Sequence, residues 1–184
     1  KIIDQKYHLK GLINNKICNQ LINFYEDHKH MTIPENSYKF NEDSKENIKE
    51  EDNCSFLNIS KLRNENNFQD IYEIILKYLR IVLTNHEIYV RNTLCSTYTN
   101  VFMTHTDNIR IIKYGVDHLI KDHSDVAENI RGSLTINLND DYEGGEFRFF
   151  GGQLKLNLSA GEAMLFPAEP VWIHGTEPVI KGAR

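Results

Sequence analysis

The sequence has few cysteines and no pair of them at metal-binding spacing. Three cysteines occur among 184 residues, and no two form a C-x-x-C pair. Neither a disulfide framework nor a cysteine zinc site is indicated, and we expect an intracellular, cytoplasmic protein. No apolar run approaches the roughly 20 residues that cross a bilayer, and the first ten residues are too polar for a secretory signal. We therefore expect no membrane span.

Positive charge is in the minority, with 21 Lys and Arg against 26 Asp and Glu and a formal net charge of -5. This balance disfavours attraction to phosphate backbones, so nucleic acid is an unlikely partner. The length and the 40% hydrophobic content fit one globular core, and we expect a single domain over residues 1–184. Because the sequence begins without Met and stops at Arg184, we expect a trimmed chain or part of a longer one.

Two amphipathic helices are predicted in the first half of the chain. Apolar residues recur at helical spacing over 13–28 and again over 67–84, where Asn67 is a candidate N-cap. The repeating residues are Ile13, Ile17, Leu21 and Tyr25 in the first helix, and Phe68, Ile71, Ile75, Tyr78 and Val82 in the second. Residues 34–54 are acidic and polar with almost no apolar periodicity, so we expect a long surface loop there.

From Ile88 onward the pattern changes to short β-rich runs separated by turn-like segments. Leu134, Ile136 and Leu138 alternate with polar residues, which indicates a strand with one buried face. An antiparallel sandwich or barrel over residues 88–184 is therefore predicted, supported by helices and a variable loop in residues 1–87. The mixed segment 109–130 is too long for a hairpin and is a candidate lid or flap.

A candidate metal site is carried by His105 and Asp107, which follow a β-rich run. Side chains two residues apart on an extended strand point to the same side, so both can reach one ion. We choose His174 as the third ligand, because two histidines and one carboxylate hold Fe(II) on one face and leave the opposite positions open.

The motifs that surround this site form a recognisable series. A Tyr and a Phe precede His-x-Asp, an Arg-x-x-x-Thr strand leads to Gly-Gly-Glu, a Gly-x-Ala-x-x-Phe strand follows, and the distal His precedes Pro-Val and Gly-x-Arg. Outside the candidate ligands the matching residues are Tyr98, Phe102, Arg131, Thr135, Gly144, Gly145, Glu146, Gly161, Ala163, Phe166, Pro178, Val179, Gly182 and Arg184. The chain from Tyr98 to Arg184 thereby resembles the Fe(II)- and 2-oxoglutarate-dependent dioxygenases of the prolyl-4-hydroxylase-like branch. Tyr98 stands seven residues before His105, whereas that branch usually has nine.

The resemblance implies an α+β fold in which a double-stranded β-helix, or jelly roll, is backed by the N-terminal helices. It implies Fe(II), 2-oxoglutarate and O2 as cofactor and cosubstrates, with ascorbate as an optional addition. The implied reaction hydroxylates an unactivated C–H bond and releases succinate and CO2. Asp107 occupies the position that is a small residue in halogenating relatives, which favours hydroxylation.

The resemblance also assigns residues to the cosubstrate. Arg184 offers a planar, permanently charged fork for the distal carboxylate of 2-oxoglutarate, and Thr135 or Tyr98 can add a hydroxyl donor. Arg131 either meets the substrate or forms a salt bridge at a strand end. Trp172 either walls the substrate pocket or belongs to the core.

Several alternatives stay open at this point. His118 and His123 lie five residues apart and can be read as a second metal site, although surface histidines in a polar flap are favoured. The first-choice substrate is a prolyl or other residue in a peptide or protein, and the second choice is a free amino acid or small metabolite. A nucleic-acid demethylase is disfavoured by the acidic charge. A non-catalytic metal-binding jelly-roll module is the alternative from another class, and the oligomeric state is open.

Overall fold

The computed structural model describes residues 5–35, 37–41, 46–50, 54–65, 67–94, 105–106 and 108–184. Three α-helices occur in its first half: α1 (Asn15–Asp27), α2 (Ile59–Leu62) and α3 (Phe68–Tyr89). Helix α1 begins where the side chain of Asn14 accepts a hydrogen bond from the amide of Ile17. A 3-10 turn (Lys29–Met31) follows α1, and a π-helical turn (Val90–Leu94) follows α3. No helix in the described ranges is long and apolar enough to span a membrane.

The strands are short and all their pairings are antiparallel. They are β1 (Tyr7–Leu9), β2 (Ile33–Pro34), β3 (Ser37–Asn41), β4 (Glu46–Glu50), β5 (Cys54–Asn58), β6 (Arg110–Tyr114), β7 (His118–Leu119), β8 (Gly132–Ile136), β9 (Glu143–Gly144), β10 (Phe147–Phe149), β11 (Leu154–Leu156), β12 (Ala163–Pro167), β13 (His174–Thr176) and β14 (Val179–Lys181). Their sheets have the orders β1-β12-β8, β11-β10-β13, β14-β9, β2-β5-β6 and β4-β3-β7. This mixture of helices and antiparallel sheet confirms the predicted α+β class.

Strand β12 separates two apolar clusters because its side chains alternate. Leu165 is buried with Val82 of α3, on the side where Leu134 also packs. Met164 and Phe166 point the other way and pack with Phe149 of β10. The predicted apolar face is confirmed, since Leu134 and Ile136 of β8 and Leu138 just beyond it pack against the cluster that α1 and α3 form with β5 and β6.

The helix predictions are confirmed in place, but three local expectations were wrong. The helix expected to end near 84 continues to Tyr89, so the strand predicted from Ile88 is helical through residue 94. A β-branched and aromatic run can extend a helix when the preceding turns already pack on the core. Asn67 has a left-handed backbone with φ of 67° and makes no side-chain cap hydrogen bond.

Two segments predicted as irregular contain strands. Residues 34–54 include β3 and β4, which pair with each other while β3 also pairs with β7. Backbone hydrogen bonds can form such a hairpin without a stripe of apolar side chains, so the polar sequence did not indicate these strands. The segment 109–130 contains β6 and β7, which pair within two of the sheets, so its first half is not an irregular flap.

A close backbone approach at Gly161 joins the N-terminal segment to β8 and β12. Gly161 has φ of +77°, and a Cβ there would lie 1.9 Å from the carbonyl oxygen of Ile13. We expect Gly161→Ala to lower the free energy of unfolding by more than about 3 kcal/mol, as backbone strain and a steric clash combine. Gly11→Ala is the matched control, since Gly11 has φ of +61° and open space around it. Urea denaturation checks the difference, and equal losses in the two variants would show that the approach is not tight.

Candidate metal centre

Within the described part of the chain, one group of His, Cys, Asp or Glu side chains converges closely enough to hold a metal ion. It consists of His123, Asp125 and His174, whose ligand atoms all lie within 4.8 Å of one another. Nε2 of His123 is 3.3 Å from Oδ1 of Asp125, and Nε2 of His174 is 3.4 Å from Oδ2. Two imidazoles and one carboxylate therefore face a common point.

Backbone pairing brings these residues together across 51 positions of the chain, the difference between 174 and 123. His123 and His174 form an antiparallel bridge in which each amide donates to the other's carbonyl oxygen at 2.9 Å. Side chains of such a directly opposed pair share one side of the sheet. Asp125 follows His123 by two residues in extended chain, which returns its side chain to that side.

The outer ring nitrogens of both histidines point at backbone carbonyls. Nδ1 of His123 is 2.8 Å from the carbonyl oxygen of Lys121, and Nδ1 of His174 is 2.9 Å from that of Trp172. Because a carbonyl oxygen only accepts, each Nδ1 carries a hydrogen and donates it. In the neutral rings this leaves the Nε2 lone pairs directed at Asp125, as metal binding requires.

The electrostatics of the cluster favour a bound cation. A hydrogen bond from the protonated form of His123 lowers the pKa of Asp125 to about 2, assisted by the Ser133 hydrogen bond and opposed by burial. The same contact with Asp125 raises the pKa of His123, whereas burial lowers the pKa of His174. Asp125 is therefore ionised and the His174 ring neutral at pH 7, the states in which both act as ligands.

The structure unites His174 with a different His-x-Asp pair from the one predicted. His105 is exposed and does not belong to the cluster, while Asp107 and Tyr98 lie outside the described residues. The sequence contains a second His-x-Asp at His123 and Asp125, within the segment that we expected to be a flap. The signal was present, because Tyr114 stands nine residues before His123.

His118 corrects a further expectation. It was expected on the surface with His123, but its side chain is fully buried, and its Nδ1 lies 3.0 Å from the carbonyl oxygen of Val116. The pairing of β7 with β3 takes His118 into the interior. It is not a member of the metal cluster, which argues against a separate centre built from His118 and His123.

Arg184 lies between two aromatic rings near the cluster. Its guanidinium carbon is 4.1 Å from the ring centre of Phe147 and 5.4 Å from that of Tyr114. The backbones of Arg184 and Tyr114 exchange two hydrogen bonds, of 2.7 and 3.0 Å. Gly145 makes room for this side chain, because a Cβ there would be 3.2 Å from Cδ of Arg184. No carboxylate among the described residues forms an ion pair with Arg184.

Arg184 and the metal cluster open into the same cavity of about 1150 Å³. Phe147 and Phe149 share one face of β10, and Phe149 lies opposite His174 in β13. Burial raises the pKa of Tyr114, so its hydroxyl stays protonated beside Arg184. An anion bound in this cavity therefore meets a guanidinium and a neutral phenol.

Thr135 and Arg131 also line the cavity, which keeps both available for the predicted contacts. Thr135 is half-buried in β8, and Arg131 is exposed immediately before that strand. Trp172, by contrast, is fully buried and packs against Phe149 and Phe166. Of the two placements expected for it, the structure gives the one in the core. Its carbonyl nevertheless contributes to the site by orienting His174.

No protein-family model matches the sequence, and no curated protein matches it. Solved structures do match over 97–98% of the chain. A prolyl-4-hydroxylase from Pseudomonas putida has a TM-score of 0.65 and 16% identity, with 88% of that chain covered. A viral collagen prolyl hydroxylase from Paramecium Bursaria Chlorella virus-1, solved in a 2-oxoglutarate complex, has a TM-score of 0.65 and 14% identity, and the match covers 90% of that chain. A Trichoplax adhaerens prolyl hydroxylase was solved in complex with a hypoxia inducible factor oxygen degradation domain peptide fragment. It has a TM-score of 0.66 and 13% identity, and the match covers 81% of that chain. The chain shares the fold of these enzymes.

Proposed function

We propose that this protein is an Fe(II)- and 2-oxoglutarate-dependent dioxygenase that hydroxylates a residue of a peptide or protein. The observation that carries the proposal is the His–Asp–His cluster, which shares one cavity with the guanidinium of Arg184, a group that no carboxylate of the described residues pairs with. The fold in which both occur is that of prolyl hydroxylases. On this basis residues 1–184 form one dioxygenase domain whose sheets correspond to a jelly-roll core.

The metal ligands we propose are His123, Asp125 and His174, in place of His105 and Asp107. The donor set fits Fe(II), since two neutral imidazoles and one carboxylate are the ligands that leave coordination positions open in non-haem iron oxygenases. Nε2 of His123 and Oδ1 of Asp125 are only 3.3 Å apart, a contact that a shared cation stabilises. When bound, the iron supplies the activation of O2 that a C–H hydroxylation requires.

Arg184 is the proposed anchor for the distal carboxylate of 2-oxoglutarate. Phe147 and Tyr114 hold its guanidinium in place, so little side-chain freedom is lost when a carboxylate pairs with it. We propose that the neutral hydroxyl of Tyr114, instead of that of Tyr98, donates a hydrogen bond to this carboxylate, and that Thr135 is a second donor. The keto acid end of the cosubstrate then points toward the metal cluster in the same cavity.

The residues of the chain mainly orient the metal ligands and exclude water from the site. Phe149 and Phe166 pack against the ring of His174 and exclude water from its buried side. The carbonyls of Lys121 and Trp172 hold both imidazoles with Nε2 toward the ion. A substrate enters from the exposed side, where Arg131 is available for contact.

The peptide class is supported by the structural relative that was solved with a peptide fragment. A screen of proline-containing peptides, with free amino acids alongside, tests the proposal by mass spectrometry. The expected result is gain of one oxygen atom by a peptide, dependent on added Fe(II) and 2-oxoglutarate, with one succinate formed per product. Asp125→Ala should abolish the gain. Oxidation of free amino acids alone would shift the substrate to small molecules, and binding of metal and 2-oxoglutarate without succinate formation would indicate a non-catalytic module.

A further inference from the structure

Each side chain of the metal cluster makes one hydrogen bond to a group outside the cluster. For His123 and His174 the partner is a backbone carbonyl, which no substitution removes. For Asp125 the partner is a side chain: the hydroxyl of Ser133 donates to Oδ2. Among the described residues, Ser133 is therefore the side chain whose hydroxyl directly orients a proposed metal ligand.

The fold fixes Ser133 in this position. Ser133 lies in β8 directly opposite Phe166 of β12, and the two side chains share one face of the sheet. The ring of Phe166 contacts the ring of His174 edge-on, with centroids 4.7 Å apart. The Ser133 hydroxyl of β8 and the His174 imidazole of β13 therefore both face Asp125. The half-buried Asp125 lies between them.

We propose that Ser133 is a positioning residue that occupies Oδ2 of Asp125 and leaves Oδ1 for the metal ion. The inference rests on the proposed function and adds a residue to it. A carboxylate can offer one or both oxygens to a cation, and an oxygen that accepts a hydroxyl hydrogen bond is less available. Binding through one oxygen leaves more coordination positions for the cosubstrate and O2. Oδ2 also lies 3.4 Å from Nε2 of His174, so without Ser133 the carboxylate is free to rotate between the two rings.

The test compares Ser133→Thr with Ser133→Val in the full chain. The two variants have the same branched shape, and they differ in the hydroxyl. Mn(II) affinity by calorimetric titration should be weaker in the Val variant by about 10–100-fold, the usual cost of losing an outer hydrogen bond to a ligand. The Thr variant should stay within about threefold of the parent protein. The visible absorption of bound Co(II), which reports ligand number and geometry, should change with Val and persist with Thr.

Two further variants isolate the effect. Ser55→Ala removes another half-buried hydroxyl, which hydrogen bonds to Tyr25 away from the cluster, and should leave Mn(II) affinity and the Co(II) spectrum unchanged. Ser133→Ala replaces the Thr and Val pair if the added methyl groups prevent folding, as judged by circular dichroism. Equal affinities and spectra with and without the Ser133 hydroxyl would overturn this inference alone. Failure of the parent protein to bind any divalent metal would overturn the proposed function as well.

Discussion

Replacing His123 by Ala is expected to weaken Mn(II) binding by more than about 100-fold, because loss of a direct ligand exceeds the cost of losing an outer partner. Hydroxylation should be undetectable in this variant. The fold should survive, since the His123 side chain is partly exposed and its bridge to His174 is made by the backbone. Calorimetric titration with Mn(II), beside circular dichroism of the same sample, measures both effects.

The matched control is His105→Ala, which removes the exposed histidine of the other His-x-Asp pair. Its Mn(II) affinity should remain within about threefold of the parent value. The two variants together decide between the two candidate pairs. Loss of binding in His105→Ala with retention in His123→Ala would return the metal to His105 and Asp107.

Arg184→Gln is expected to weaken 2-oxoglutarate binding by about thirtyfold to several-thousandfold, while metal affinity hardly changes. The expected loss corresponds to the roughly 2–5 kcal/mol of breaking a buried charged hydrogen-bonded pair. Gln keeps much of the volume between Phe147 and Tyr114 but has no charge for the distal carboxylate. Titration of the Mn(II)-loaded protein with 2-oxoglutarate gives the affinity.

Lys181→Gln is the charge-matched control for this prediction. Lys181 is also near the end of the chain, but its ammonium is exposed and pairs with Glu143. Its removal should change 2-oxoglutarate affinity by less than about threefold, since exposed ion pairs contribute little. A similar small change in Arg184→Gln would show that another cation binds the cosubstrate.

The C-terminal half shows what local sequence patterns can predict. The β-rich runs predicted in this half contain β8, β10, β11, β12 and β13, and the runs around β8 and β11 also show the predicted alternation of apolar and polar residues. His174 was identified as a candidate ligand from its motif, and the structure places it in the His–Asp–His cluster. The resemblance to prolyl hydroxylases is confirmed at the level of the fold. Period-two burial is a local property, which is why it can be read without knowing the tertiary structure.

The spacing within the two His-x-Asp pairs does not decide between them, because it is the same in both. The offset of nine residues from Tyr114 to His123 favours the second pair, and the backbone bridge between His123 and His174 places that pair beside the third candidate ligand. His123 and Asp125 lie in the segment 109–130, which the sequence predicted as a flap although β6 and β7 within it are sheet strands. The extension of α3 to Tyr89 had a similar cause, because tertiary packing decides the state of a β-branched run.

The proposed site is tested most directly by a crystal structure of the protein grown with Mn(II) and 2-oxoglutarate, with the ion located by its anomalous scattering. We expect one ion bound by Nε2 of His123, Nε2 of His174 and a carboxylate oxygen of Asp125, with the distal carboxylate of 2-oxoglutarate on Arg184. An ion at His105 and Asp107, or 2-oxoglutarate bound away from Arg184, would contradict the proposed site.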